Sequence, residues 1–337
     1  MASGRLLRNL FKVATAGDTE AFRSAAQEII EEERAKNHHL LANDLQRILQ
    51  NGTPSFTGDH LPLKRQRTDP PRDRERDLPL ADVRLPRQSL DSVVLSDFNL
   101  SAVGNVIHEQ AKSDLLRAHS VAPQAKLLFC GPPGCGKTLT AEALAYELQR
   151  ELVIVRVDAV VSSFLGETAS NLRRVFDFLS TGQYVAIFDE FDALGRERSD
   201  PTEHGELKRV VNAFLQLLDS YNGQSVLIAA TNHEGQLDYA LWRRFDEVLR
   251  FERPVREQLA QTIRLKLHSV PNTVYGLDDE FLARLEGLSF AEIERLVRHA
   301  IKHAILDGEG TVSERYLSEA LAHELRRIEA IGRSTKQ

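Results

Sequence analysis

The chain has 337 residues, 42% of them hydrophobic, and a formal net charge of −6 at pH 7. That length supports one large core and a second smaller one, and the negative balance weighs against whole-surface attraction to nucleic acid or an anionic membrane. No apolar run approaches the roughly 18–20 residues of a membrane span, and the N-terminus lacks the apolar stretch and cleavage site of a secretory leader, so a cytoplasmic protein is expected.

In chain order, residues 1–50 read as a small helical unit. Ala21, Phe22, Ala25, Ala26, Ile29 and Ile30 recur at helical spacing, and Leu40, Leu41, Leu45, Ile48 and Leu49 do so further on. Residues 51–88 are proline-rich with no apolar periodicity, and are expected to be a flexible linker. Their cations between Lys64 and Arg76 alternate with Asp69, Asp73, Glu75 and Asp77, the pattern of a solvated polyampholyte rather than a nucleic-acid patch.

From 89 to 254 short apolar runs alternate with amphipathic stretches. AKLLFC (125–130), LVIVRVDA (152–159), YVAIFDE (184–190), SVLIAATN (225–232) and EVLRFERP (247–254) are the expected strands. Near-continuous apolar runs suit strands covered on both faces, hence a five-stranded parallel sheet between helices, an α/β domain. After Pro254 the strand signals stop, and residues 255–337 carry four amphipathic segments, the expected helical lid domain. In one of them Ile293, Leu296, Val297, Ala300, Ile301 and Ala304 form a single stripe for core packing.

Gly131-Pro132-Pro133-Gly134-Cys135-Gly136-Lys137-Thr138 follows an expected strand and opens a helix that continues into Leu139. It fits G-x-x-x-x-G-K-[ST], in which glycines turn backbone N–H groups onto phosphate and the helix N-terminus adds partial positive charge. Lys137 can reach the β- and γ-phosphates of ATP, and the Thr138 hydroxyl can ligate Mg²⁺. Asp189, where a strand runs out about fifty residues downstream, is the second expected Mg²⁺ ligand, and Glu190 is the candidate that polarises the attacking water. Asn232, ending another apolar strand, can orient that water. Arg243 and Arg244, adjacent before a Phe-Asp turn, look like fingers that reach a neighbouring subunit's γ-phosphate. Cys130 and Cys135 have neither metal-site nor disulfide spacing and read as small packing residues.

The ordered series GPPGCGKT, IFDEFDALG, AATN and LDYALWRRFD resembles the AAA ATPase family, in its clade with the second region of homology, over residues 89–325. The resemblance implies a P-loop nucleotide-hydrolase fold with a helical lid, assembled as a homo-oligomeric ring, usually of six, with ATP and Mg²⁺ between subunits. Within VVSSFLGETASNLRRVFDF, Phe164, Leu165 and Gly166 match the family's pore loop, which grips polypeptide. Where the family commonly has Gly-x-Ser-Gly-Ala-Asp beside the adenine, this chain has Gly287-Leu-Ser-Phe-Ala-Glu292. Gly287 and Ala291 are then the expected adenine contacts, and Phe290 replaces a glycine. The arrangement also resembles bacterial AAA ATPases paired with subtilisin-like serine proteases, some in phage-defence loci.

Three functions follow as expectations: a remodeller that pulls a protein client through the ring pore, a switch that gates a partner protease or effector, and a DNA-handling ATPase. The net charge and the pore aromatic weigh against the third. The chain carries no Gly-x-Ser-x-Gly, HExxH or paired CxxC of its own.

Overall fold

The computed structural model describes residues 24–28, 69–74, 76–160, 165–191, 204–233, 242–274 and 276–334. The chain divides into two compact units, 1–64 and 65–337. In the first unit residues 24–28 are helical and Ala25 is buried; the other residues expected in the helices of that unit lie outside the described ones.

The second unit contains β1 (Ala81–Arg84), α1 (Asp97–Ala111), α2 (Ser113–Ala118), β2 (Lys126–Cys130), α3 (Lys137–Glu147), β3 (Glu151–Val155), α4 (Val157–Val160), α5 (Leu165–Ser180), β4 (Tyr184–Phe188), α6 (His204–Ser220), β5 (Val226–Thr231) and β6 (Glu247–Arg250). The lid follows as α7 (Arg256–Leu267), α8 (Asp279–Leu285), α9 (Phe290–Leu306) and α10 (Glu314–Ser334).

The strands form one sheet in the order β1-β3-β4-β5-β2-β6. All neighbours pair in parallel except β1, which runs antiparallel to β3. Both faces are apolar, as the sequence runs require. Leu128, Val153, Ala186 and Phe188 pack on one side against Val175 and Phe176 of α5 and Phe214 of α6. Leu127, Phe129, Ile187 and Ile228 pack on the other against Val103 and Val106 of α1 and Leu144 of α3. The lid has its own core, in which Ile293, Leu296, Val297, Ala300 and Ala304 of the expected stripe are buried and Ile301 is partly buried.

The sheet therefore has six strands, not five, and the extra one comes from the segment expected to be linker. Residues 71–74 and 76–84 form a strap along the sheet edge. Leu80 N–H donates to the Pro71 carbonyl (2.8 Å), Arg156 N–H donates to the Leu80 carbonyl (2.9 Å), and β1 continues along β3. A strand of four residues beside prolines is tolerable because it lies at the sheet edge, where one row of backbone groups needs no partner strand. Asp73, expected to be solvated, is only 5% exposed. Its carboxylate accepts from Asn171 Nδ2 of α5 at 2.7 Å and from Arg76 N–H at 2.8 Å. Truncating Asp73 to Ala strands the buried Asn171 donor. We expect a loss of about 1–3 kcal/mol, read as a lower urea midpoint; an unchanged midpoint would show the strap to be dispensable.

Candidate nucleotide site

The site forms at the carboxyl edge of the sheet, where ligands of open α/β sheets bind. The loop between β2 and α3 takes left-handed backbone at Gly131 (φ 142°), Gly134 (φ 76°) and Gly136 (φ 97°). Glycine is required at 131 by packing as well: a Cβ there would stand 1.9 Å from the Phe251 carbonyl oxygen. Gly136 is the N-cap of α3 and supplies no side-chain cap. The first-turn N–H groups of α3 thus face the loop without a capping oxygen, which makes this helix N-terminus suited to an anion.

Two polar pairs tie this loop to the ends of neighbouring strands. Lys137, 6% exposed, donates from Nζ to the Gly131 carbonyl (2.6 Å), the Pro132 carbonyl (3.0 Å) and Asn232 Oδ1 (2.7 Å). Thr138 Oγ1 donates to Asp189 Oδ2 at 2.7 Å. The expected residues from three separate strands, Lys137 and Thr138 after β2, Asp189 after β4 and Asn232 after β5, therefore meet at one place.

Glu190 is exposed and holds a left-handed backbone (φ 52°), with its N–H donating to Asp189 Oδ1 at 2.9 Å. A left-handed glutamate costs on the order of 1–2 kcal/mol. The fold tolerates that cost at a residue that carries a second carboxylate beside Asp189.

Arg243 and Arg244 occupy a turn that is held firmly from below. Phe245 is buried, and Asp246 Oδ2 accepts from the N–H groups of Ala125 and Lys126, both at 2.9 Å. Arg243 is exposed; Arg244 is half-buried and pairs with Asp219 of α6 at 2.7 Å. The two arginines are thus unequal in this chain. Phe164 lies outside the described residues; Leu165 and Gly166 are the first residues of α5.

The lid docks directly on the loop. Ala291 N–H donates to the Gly134 carbonyl at 3.0 Å, and Arg253 donates to the Gly287 carbonyl. Gly287 and Ala291, expected as adenine contacts, are therefore engaged in hinge and loop contacts. Beside the loop opens a cavity of about 660 Å³, lined among others by Val94, Leu95, Cys135, Phe251, Val255 and Phe290. Sequence reasoning missed most of this wall, because its residues come from four distant segments and no local motif joins them. Burial pushes the Cys135 thiol above its ordinary range against the pull of Lys137 and Arg253, so it stays protonated and packs, as expected.

Among the described residues no group of three His, Cys, Asp or Glu side chains could hold a metal ion, and no helix is long and apolar enough to cross a membrane. A parallel sheet, a glycine loop opening a helix, and a lysine and a threonine met by polar strand ends together define a P-loop nucleotide hydrolase.

Residues 127–253 match the family model described as "ATPase family associated with various cellular activities (AAA)". An uncharacterized AAA family ATPase of Sinorhizobium fredii is 40% identical over 333 residues, 97% of this chain and 97% of that protein. A proteasome-activating nucleotidase of Thermococcus onnurineus is 33% identical over 216 residues, covering 62% of this chain and 54% of that protein. An ATP-dependent zinc metalloprotease, FtsH 3, of Sphaerobacter thermophilus is 33% identical over 200 residues, covering 58% and 41%. The chain thus spans nearly all of the first relative and about half or less of the other two. It belongs to the AAA family of ATPases and is an ATP hydrolase.

Proposed function

We propose that this ATPase assembles as a ring, of six copies by family analogy, and uses ATP hydrolysis to remodel a protein client through a central pore. The observation that carries the catalytic part is the convergence of Lys137 with Asn232 and of Thr138 with Asp189. In this reading the backbone N–H groups from Gly134 to Leu139 bind the β-phosphate and Lys137 reaches the γ-phosphate. Asn232 orients the attacking water, and Glu190 takes its proton. A magnesium ion fits Thr138 and Asp189, because a hydroxyl and a carboxylate 2.7 Å apart are the hard oxygen donors it prefers. When bound it neutralises phosphate charge. Arg243 and Arg244 complete the site of a neighbouring copy.

The protein-client reading is supported by the match of Phe164, Leu165 and Gly166 to the family's pore-loop sequence and by two relatives whose names tie them to proteolysis. It is tested with a fluorescent protein carrying an unstructured tail. ATP-dependent loss of its fluorescence is expected, slowed at least about tenfold by Phe164→Ala if that ring is an aromatic anchor. Unfolding at the wild-type rate in the variant would overturn the pore assignment.

A separate N-terminal unit favours a second reading, in which the ATP state of the ring gates a partner bound there, such as a separately encoded subtilisin-like protease in a defence system. Removing residues 1–64 abolishes partner capture under that reading and leaves client threading intact under the first.

A further inference from the structure

The cavity beside the phosphate loop is lined by apolar side chains together with Asn99, Arg250, Glu252, Arg253 and Gln258. Cys135, two residues before Lys137, lines it from the phosphate loop. Val94 and Leu95, from the segment leading into α1, and Phe251, just after β6, form an apolar floor. From the lid, Val255 and Phe290 close it. A volume of about 660 Å³ accommodates a nucleoside, since small-ligand pockets run about 300–1,000 Å³.

Phe290 is the first residue of α9, and the backbone on both sides of it is fastened. Ser289 caps the helix with Glu292 in a reciprocal box: Ser289 N–H donates to Glu292 Oε2 at 2.7 Å, and Glu292 N–H donates to Ser289 Oγ at 3.4 Å. Ala291 N–H is bonded to the Gly134 carbonyl at 3.0 Å. Ser289 and Ala291 also pack so closely on the loop that a Cβ on Gly134 would meet Ser289 Oγ at 2.9 Å and the Ala291 Cβ at 3.1 Å. The residue between them is therefore held in fixed register with the phosphate loop. Phe290 is half-buried and lines the cavity.

We propose that Phe290 is a base-binding residue of this ATPase: the nucleobase stacks on its ring, so that base binding and docking of the lid on the phosphate loop are one event. The stack needs a flat π-surface on the ligand and apolar surroundings on the protein, and the floor of Val94, Leu95 and Phe251 provides the second. At this position the family resemblance leads one to expect glycine, which has no ring to offer. The proposal rests on the reading that residues 131–138 hold the phosphates.

Binding of ADP and of inorganic tripolyphosphate, which has no base, separates the two. For Phe290→Ala we expect ADP affinity to fall about tenfold or more, the range of one lost base stack, with tripolyphosphate affinity held within about twofold. Phe290→Trp, which keeps an aromatic face, is expected to retain ADP binding, and melting curves check that both variants fold. Unchanged ADP affinity in Phe290→Ala would overturn the proposal. So would an equal loss of both ligands, because that result makes the ring a prop for the loop rather than a base contact. Lys137→Ala tests the underlying reading separately: it is expected to lose both ligands, and keeping both would sink the phosphate assignment whatever Phe290 does.

Discussion

A Glu190→Gln protein is expected to bind ATP with nearly native affinity and to turn it over about 10²–10⁴ times more slowly, the usual contribution of a positioned proton acceptor. The amide keeps the size and hydrogen-bonding shape of the carboxylate but cannot take a proton from water. The backbone beneath it should not change, because the left-handed turn at Glu190 is held by Asp189, whose Oδ1 accepts the Glu190 N–H and whose Oδ2 accepts Thr138 Oγ1. Titration calorimetry gives the affinity and single-turnover phosphate release gives the rate. A variant that kept turnover within about threefold of wild type would remove Glu190 from the proton-acceptor role. The same protein, arrested with ATP bound, is also the reagent with which to capture a client or partner.

The second large effect concerns the arginine turn. An Arg243→Ala, Arg244→Ala double variant is expected to lose roughly 10³–10⁵ in turnover, the magnitude of an arginine that neutralises the transferring phosphoryl group. Its own pocket, with Lys137, Thr138, Asp189 and Asn232 intact, should still bind ATP. Lys137→Ala has the opposite defect, an impaired pocket with intact arginines. If the arginines serve a neighbouring copy, mixing the two inactive proteins restores part of the turnover, because some interfaces then combine a good pocket with good arginines. No rescue on mixing, or undiminished turnover in the double variant, would defeat the reading. Arg244 must leave Asp219, 2.7 Å away, to act elsewhere.

Much of this architecture was legible in the chain because its signals are local. The five parallel strands are runs of apolar residues too short for helices and too continuous for a one-sided sheet; β2, β4, β5 and β6 fall within the expected segments, whereas β3 begins one residue early, at Glu151, and the expected strand residues from Val157 on belong to α4. The stripe from Ile293 to Ala304 marked the core face of α9 for the same reason. The phosphate loop was readable because its glycines, lysine and threonine do their work within eight residues and in the context of a strand and a helix.

β1 escaped because its four residues show only a weak alternation and draw their hydrogen bonds from β3. Asp73 escaped because nothing near it in sequence distinguishes it from Asp69 or Asp77; its burial is decided by Asn171, on α5.

By itself, then, the amino-acid sequence determined the fold class and the family, and it singled out the glycine loop and the side chains proposed to act on ATP, all from local periodicity and side-chain chemistry. The tertiary structure alone decided that Lys137 meets Asn232 and Thr138 meets Asp189. It also decided that Arg244 is tied to Asp219 and that Phe290 lines the cavity beside the loop. Those outcomes depend on contacts between segments far apart in the chain, whose register is set by how sheet, helices and lid pack and not by any pattern within one of them.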